Sequence, residues 1–172
     1  MVEKSKQGEI KLAYVDKAGF AHPQPNRNAW TEKGKAHLIT AERGKHLNVL
    51  AALISTGALF SARFWEAATA AALAGFLGLL LKSVGGPLTV ILDKASIHKA
   101  KAIQPVLALL KQPGLTLIFL PPYSPDLNRI ELLWHKMKYE WMAFKARTAE
   151  RLQADVGKIL ESFGSDCRMT FC

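Results

Sequence analysis

A short, almost unbroken apolar run near the middle of the chain indicates a strand that is covered on both sides. Residues Leu88–Leu92 are apolar at every position except Thr89, without the alternation of a strand that has one face in water. Such a run is typical of a central strand in a parallel or mixed sheet between helices. It is followed directly by Asp93, so the sequence predicts a carboxylate at the end of a buried strand.

The other apolar patterns place this strand in a larger α/β architecture. Alternating or continuous apolar runs predict four more strands, at residues 10–16, 47–55, 58–65 and 115–120. Helical spacing predicts helices at residues 67–81, 99–111, 127–145 and from Thr148 onward. The second of these either kinks at Pro105 or begins there. The order of elements predicts an α/β fold in which a mixed β-sheet is flanked by helices.

The chain is strongly basic for its size. Its 172 residues include 23 Lys and Arg against 14 Asp and Glu, which gives a formal net charge of +9. This surplus favours a polyanionic partner, either nucleic acid or an anionic membrane surface, although it is also compatible with a role in solubility alone. A length of 172 residues, 49% of them hydrophobic, predicts a single domain with its own core.

No segment has the pattern of a signal peptide or a membrane span. The most apolar stretch, residues 67–81, is shorter than the roughly 20 residues that cross a bilayer. We therefore expect a core helix there and a protein without a membrane partner. The two cysteines, Cys167 and Cys172, lie at the C-terminal end and fit a reducing, cytoplasmic location.

Three acidic residues are candidates for one functional site. Asp16 and Asp93 each follow a predicted strand, and α/β sheets place their sites beyond the carboxyl ends of strands. Glu131 lies in the first turn of a predicted helix, and Lys138 projects from the same flank about two turns later. Carboxylate oxygens suit a hard cation such as Mg²⁺, and an ammonium beside them suits a phosphodiester. Taken singly, each Asp also fits a strand-end cap, and Glu131 also fits a helix N-terminus.

Several segments carry a resemblance to a known family. Residues 92–99 read LDKASIHK, and residues 120–134 read LPPYSPDLNRIELLW. Residues 16–20 read DKAGF, and residues 28–35 read NAWTEKGK. Together these segments resemble the mariner-related transposases of bacterial insertion sequences, of the IS-six-thirty type, over about residues 11–145.

The resemblance implies a fold, a chemistry and a substrate. The implied fold is RNase H-like, as in ribonuclease H and the retroviral integrases. The implied DDE triad is Asp16, Asp93 and Glu131, which would hold Mg²⁺ or Mn²⁺, with two ions bridging the carboxylates and the scissile phosphate. The implied substrate is double-stranded DNA, cut at transposon ends and joined to target DNA at TA by a homodimer or a larger assembly.

Further residues are expected to contact DNA. Trp30 lies among basic side chains and is expected either to stack on a base or to clasp a partner subunit. His98 is a candidate phosphate contact, although a structural hydrogen-bonding role fits it as well. The expected DNA-contacting set is Lys138, His98, Lys99, Trp30, Lys33, Lys35 and Arg129.

The sequence departs from the family pattern at three positions and at its beginning. Lys17, Lys94 and Arg129 stand where the family usually has Glu, Asn and Pro. The first predicted strand begins near Ile10, which leaves no room for the helix-turn-helix region that the family usually carries. We therefore expect one catalytic domain over residues 1–172, with its core at about 11–163, no N-terminal DNA-binding domain, and a separate helix-turn-helix protein as a possible partner.

These departures leave other functions open. A non-catalytic DNA-binding or regulatory remnant of a transposase would bind DNA in a salt-dependent way without cleaving it. Another nuclease of the same fold, such as a resolvase or an RNase H, would not join strands to target DNA. A basic protein at a membrane surface would bind liposomes. The length of the resemblance favours the transposase over all three.

Overall fold

The computed structural model describes a five-stranded mixed sheet. The described residues are Ser5, 10–21, 30–35, 46–93, 104–111, 114–121, 124–143, Lys145 and 147–169. The strands are β1 (Lys11–Phe20), β2 (Leu47–Ile54), β3 (Leu59–Phe64), β4 (Leu88–Leu92) and β5 (Leu115–Phe119). Their order in the sheet is β3-β2-β1-β4-β5. β2 pairs antiparallel with β1 and β3, whereas β1, β4 and β5 run parallel.

Helices cover both faces of this sheet. They are α1 (Ala70–Val84), α2 (Gln104–Lys111), α3 (Ile130–Lys136) and α4 (Ala149–Glu161), with a 3-10 turn at Pro125–Leu127 and a π-helical turn at Met137–Trp141. Residues of α1 and α2 are buried against one face, and residues of α3, the π-helical turn and α4 against the other. The predicted α/β fold, a mixed sheet flanked by helices, is confirmed.

The alternation of side chains along β1 decides which helices face which residues. Ala13 and Val15 are buried with α1 and α2, whereas Tyr14, Ala18 and Phe20 are buried with α3 and α4. Because successive side chains of a strand point to opposite faces, Asp16 lies on the same face as Tyr14 and Ala18.

The hairpin and the central strand were predicted within one residue at each end. Gly57 forms the β2–β3 turn with φ of 87°, and the amide of Ile54 donates to the carbonyl of Ala58 over 2.9 Å. β4 has buried residues directed to both sides of the sheet, as its continuous apolar sequence indicates.

The first strand is longer than its sequence indicates. We expected it to end near Asp16 because Gly19 follows, and that expectation was wrong, since β1 continues to Phe20. Residues 16–20 pair antiparallel with residues 47–51 of β2, and Phe20 is buried in the core. Parallel pairing with β4 ends where Val15 lies opposite Leu92. Asp16 therefore lies inside β1, one residue beyond the end of its parallel pairing.

The helix predicted over residues 127–145 is shorter and is divided. Residues 125–127 form a separate 3-10 turn, α3 begins at Ile130, and the helix ends in a π-helical turn at Trp141. Met142 is extended, with φ of −85° and ψ of 123°. The apolar stripe that carried the prediction is nevertheless present, because Ile130, Leu133, Trp134 and Met137 are all buried.

The remaining helices follow their sequence signals. Thr69 caps α1 by accepting a hydrogen bond from the amide of Ala72, and Gly85 ends it with φ of 64°. Thr148 caps α4 as predicted. Pro105 lies in the first turn of the described α2, where its missing N–H costs nothing, and residues 99–103 lie outside the described residues. No helix in the described part of the chain is both long and apolar enough to cross a bilayer.

Candidate active site

Asp16 and Asp93 occupy equivalent positions on two adjacent parallel strands. Val15 lies opposite Leu92 in the β1–β4 pairing; Asp16 is the next residue of β1, and Asp93 directly follows the end of β4. Neighbouring strands are about 4.8 Å apart, and residues in register on parallel strands share a face. The sheet therefore brings both carboxyl groups to the face that α3 covers.

The third acidic residue enters this region from α3. The buried stripe of α3 packs Ile130 and Leu133 against the same face of the sheet. Glu131 lies in the first turn, beside this stripe, with its side chain exposed at the edge of the core. The amide of Glu131 donates to the carbonyl of Asn128 over 2.9 Å, which anchors the start of the helix.

Trp134 links the helix directly to Asp16. Its indole Nε1–H donates to Oδ2 of Asp16 over 2.9 Å. The indole is buried and meets the Phe20 ring edge-on, with ring centroids 6.2 Å apart. A buried indole N–H needs an acceptor, and here that acceptor orients the Asp16 carboxylate.

Burial dominates the acidity of Asp16. The pKa of Asp16 is raised from 3.8 to about 6, chiefly by removal from water and also by the negative charges of Glu131 and Asp93. Hydrogen bonds from the Lys17 amide and the Trp134 indole oppose the rise. The carboxyl group of Asp16 is therefore half-protonated near pH 6 rather than near pH 3.8.

Glu131 experiences the same neighbours from a more open position. Partial removal from water raises the pKa of Glu131, and the charge of Asp93 adds to the rise. The ammonium of Lys138 and a hydrogen bond with Asp16 lower this pKa. The pKa values of Asp16 and Glu131, which are hydrogen-bonded neighbours, are thus both raised.

These side chains suit a hard divalent cation in type, without forming a closed cage. Within the described ranges, no three His, Cys, Asp or Glu side chains lie close enough together to hold a metal ion. The charges of Asp93 and Glu131 nevertheless act on Asp16, because electrostatic influence extends beyond ligand distance. Oxygen donors of this kind fit Mg²⁺ or Mn²⁺, whose binding would replace the hydrogen bond between Asp16 and Glu131.

Two of the expected DNA-contacting residues lie beside the carboxylates. The Nζ atom of Lys138 is 5.6 Å from the centroid of the Phe20 ring, and its charge lowers the pKa of Glu131. The guanidinium of Arg129 is 5.9 Å from the centroid of the Tyr14 ring, two residues before Asp16. The structure thus brings Lys138 and Arg129 to the same face as Asp16.

The other expected contacts are not brought to this region by any described interaction. Trp30 is fully exposed, and Lys35 forms an ion pair with Glu32, next to the exposed Lys33. His98, Lys99 and the substituted position Lys94 lie outside the described residues. Lys17 is exposed and points to the opposite face of β1 from Asp16, as expected for neighbours in a strand.

Sequence reasoning missed two residues of this region. Trp134 was interpreted only as part of the core, although its position one helical turn after Glu131 was a signal for a role beside it. Asn128 was not singled out. It lines a cavity of about 460 Å³ beside the carboxylates, together with Asp126, Glu131, Leu132, Trp134, His135, Lys138 and Tyr139.

Known proteins match most of the chain. The model of the DDE superfamily endonuclease family matches residues 11–153. An uncharacterized protein of Sinorhizobium fredii (strain NBRC 101917 / NGR234), y4pE/y4sA, is 40% identical over 60 residues, which are 34% of this chain and 39% of that protein.

Solved structures share the fold at low sequence identity. The Mos1 strand transfer complex matches with a TM-score of 0.68 and 18% identity, over 96% of this chain and 51% of that chain. The catalytic domain of Mos1 mariner transposase matches with a TM-score of 0.65 and 14% identity, over 96% of this chain and 76% of that chain. The catalytic core of BIV integrase matches with a TM-score of 0.55 and 16% identity, over 93% of this chain and 86% of that chain. The fold is the RNase H-like fold of these catalytic cores, and the chain spans about half the length of the Mos1 chain in the strand transfer complex.

Proposed function

The chain belongs to the DDE superfamily endonuclease family, whose model spans residues 11–153, and we propose that it is the catalytic domain of a DNA transposase. Its activity would be divalent-metal-dependent cleavage of phosphodiester bonds at transposon ends, followed by transfer of the freed strand into target DNA. Asp16, Asp93 and Glu131 would be the catalytic carboxylates.

One observation carries this proposal. Asp16 is half-buried within reach of the charges of both Glu131 and Asp93, and its pKa rises to about 6 as a result of that burial and those charges. Burying acidic groups together is costly unless a cation or a proton compensates for them. A cation-binding role therefore explains why three elements, β1, β4 and α3, present carboxyl groups to one region.

The proposed cofactors are Mg²⁺ or Mn²⁺, as two ions held by Asp16, Asp93 and Glu131. Bound there, such ions supply charge that activates an attacking oxygen and stabilises a leaving oxygen in an in-line displacement. Structures of Mos1 paired-end complexes with Mn and with Mg support this choice of metals, because they share the fold of this chain.

The protein's own side chains have separate tasks in this proposal. Trp134 orients Asp16 through its indole N–H, so that the carboxylate is held in place before metal binds. Lys138 opposes the rise in the pKa of Glu131 and is placed to bind a phosphate of the DNA backbone. The net charge of +9 attracts DNA from solution through counterion release.

The finer assignments are part of the same proposal. We assign the chain to the bacterial insertion-sequence type on the strength of the PPYSPDLN segment, residues 121–128. We propose that residues 1–172 form one domain, that it works as a homodimer on paired ends in the cytoplasm, and that a separate helix-turn-helix protein recognises those ends. Arg129, Trp30, Lys33, Lys35, His98 and Lys99 remain the further residues proposed to contact DNA.

Nicking of supercoiled plasmid in Mg²⁺ or Mn²⁺ tests the proposal. The wild-type chain is expected to nick DNA only with metal present, whereas Asp93→Ala and Glu131→Ala are expected to bind DNA without nicking it. Asp166→Ala is the matched control, because it removes an exposed carboxylate outside the family-matched residues. Joining of a labelled pre-cut end to plasmid tests strand transfer separately.

The possible outcomes separate the competing functions. Loss of nicking in both triad variants but not in the control supports the transposase site. DNA binding by the wild type without any metal-dependent nicking would instead support the non-catalytic remnant. Nicking without strand transfer would support another nuclease of the same fold.

A further inference from the structure

We infer that the cavity beside Glu131 binds an unpaired nucleobase of the DNA strand whose phosphate lies at the carboxylates. The cavity of about 460 Å³ lies between the 3-10 turn and the outer side of α3. It is large enough for one base with its sugar, because small-molecule sites occupy roughly 300–1,000 Å³. The inference rests on the proposed DNA substrate and deepens it.

An unsatisfied amide points to a ligand in this cavity. Asn128 lines the cavity and is 3% exposed. Within the described part of the chain, neither its Nδ2 nor its Oδ1 atom has a hydrogen-bond partner. Leaving both a donor and an acceptor buried and unpaired is costly, so a ligand that pairs with both atoms is favoured. Neither atom is accessible to solvent, so pairing with such a ligand requires the amide to turn towards the cavity.

The chemistry of the amide favours a base over a phosphate. Phosphate oxygens only accept hydrogen bonds, so they would satisfy Nδ2 and leave Oδ1 unpaired. The edge of a nucleobase offers a donor beside an acceptor, which an Asn amide pairs with through two hydrogen bonds, as it does with adenine. The acidic side chains of Asp126 and Glu131 on the cavity lining also disfavour a phosphate inside it.

Aromatic side chains on the cavity lining suit the flat face of a base. His135 and Tyr139 lie with ring centroids 4.9 Å apart and a tilt of 35°. Tyr139 is 44% exposed and Leu132 beside it is 54% exposed, so the two side chains form an apolar and aromatic surface that faces outward. Stacking on such rings holds unpaired bases with little dependence on sequence.

The position of the cavity indicates which base is bound. Glu131 and Lys138 contribute both to the cavity lining and to the carboxylate region. A strand whose phosphate meets Lys138 would therefore direct an adjoining base into the cavity. Only an unpaired base can enter, because a paired base has its edge occupied and its faces stacked on its neighbours.

Fluorescence anisotropy with two hairpin DNAs tests the inference without catalysis. In EDTA, one DNA carries a single 3′ adenine overhang and the other carries an abasic residue at that position. The wild-type chain is expected to bind the adenine overhang about tenfold more tightly, as for one base stacked on aromatic rings. Asn128→Ala and Tyr139→Ala are expected to reduce this preference to less than about threefold, whereas Tyr139→Phe retains it.

Controls separate this inference from the proposed function. Leu79→Ala truncates an exposed side chain of α1, on the other face of the sheet, and is expected to keep the full preference. Equal affinity of the wild type for the two DNAs overturns the inference, while metal-dependent plasmid nicking by the same preparation would leave the proposed function standing. A preference that survives both Asn128→Ala and Tyr139→Ala places the base elsewhere and also overturns it. Absence of binding to either DNA overturns it together with the DNA substrate.

Discussion

Asp16 is withdrawn from water and has two acidic neighbours. Its replacement by Asn is expected to change the stability of the fold and the activity of the site in opposite directions. The amide has nearly the shape of the carboxyl group, and its oxygen can still accept the hydrogen bond from Trp134. The substitution removes the charge that burial penalises and the repulsion from Glu131 and Asp93. We expect Asp16→Asn to be more stable than the wild type at neutral pH and to have no nicking activity.

The magnitude follows from the pKa of Asp16. A rise from 3.8 to about 6 is a difference of about 2 units, and each unit corresponds to about 1.4 kcal/mol. Because the pKa is higher in the folded chain than in the unfolded one, the folded state binds the proton more tightly. The contribution of Asp16 to stability is therefore greatest below pH 3.8 and falls as the pH rises through about 6, by a total of about 3 kcal/mol.

Urea denaturation in EDTA, followed by tryptophan fluorescence, measures this effect. At about pH 8 we expect Asp16→Asn to raise the free energy of unfolding by about 2–3 kcal/mol, and at about pH 5 by about half as much. Asp166→Asn, an exposed substitution, should change stability by less than about 0.5 kcal/mol at both pH values. A gain that is equal at the two pH values, or a loss at the higher one, would refute the reasoning, because no charge-dependent penalty would then exist at Asp16.

Three further substitutions test the site and the fold. Trp134→Phe removes a hydrogen bond that lowers the pKa of Asp16, so the pH midpoint of nicking should move upward by about one unit. Lys138→Ala should raise the pKa of Glu131 and slow nicking by about 10–100-fold. It should also reduce the salt slope, the slope of log binding constant against log salt concentration, by about one in filter-binding measurements. Gly57→Ala should lower the free energy of unfolding by about 1–2 kcal/mol in urea, because Gly57 has φ of 87°.

Matched variants make these results interpretable. Gly75→Ala lies in α1, where an added Cβ meets nothing within 4 Å, and should stabilise the chain by about 1 kcal/mol. Lys138→Arg keeps the charge and should keep the salt slope. An unchanged pH profile in Trp134→Phe would mean that the indole does not act on Asp16. Equal changes in the free energy of unfolding for Gly57→Ala and Gly75→Ala would mean that the positive φ of the turn does not determine the cost of replacing Gly57.

Elements whose burial is a local pattern were predictable from the sequence. The run Leu88–Leu92 predicts a covered strand ending at Asp93, and the spacing of Ile130, Leu133 and Met137 predicts the helix face that packs on it. These patterns are predictable because the side-chain period of a strand or a helix is built into its backbone geometry. The position of Glu131 beside that face follows from the same period.

Positions that depend on a partner from elsewhere in the chain were not predictable. Gly19 suggested the end of the first strand, but pairing with β2 extends it to Phe20 and places Asp16 inside it. The π-helical turn and the end of the helix at Trp141 likewise depart from the helical period in the sequence. In the case of β1, hydrogen bonds to a distant segment outweigh local preference, so the local sequence does not report them.

The sequence by itself determined the fold class, the basic surface and three acidic residues that are candidates for one site. Only the tertiary structure decided how those residues act on one another. It gave Asp16 a half-buried position with Trp134 as its hydrogen-bond donor, and it left the amide of Asn128 unpaired among the described residues. The physical reason is that a pKa and a hydrogen bond depend on distances between side chains that are far apart in the chain, whereas a sequence pattern reports only which side of its own element is buried.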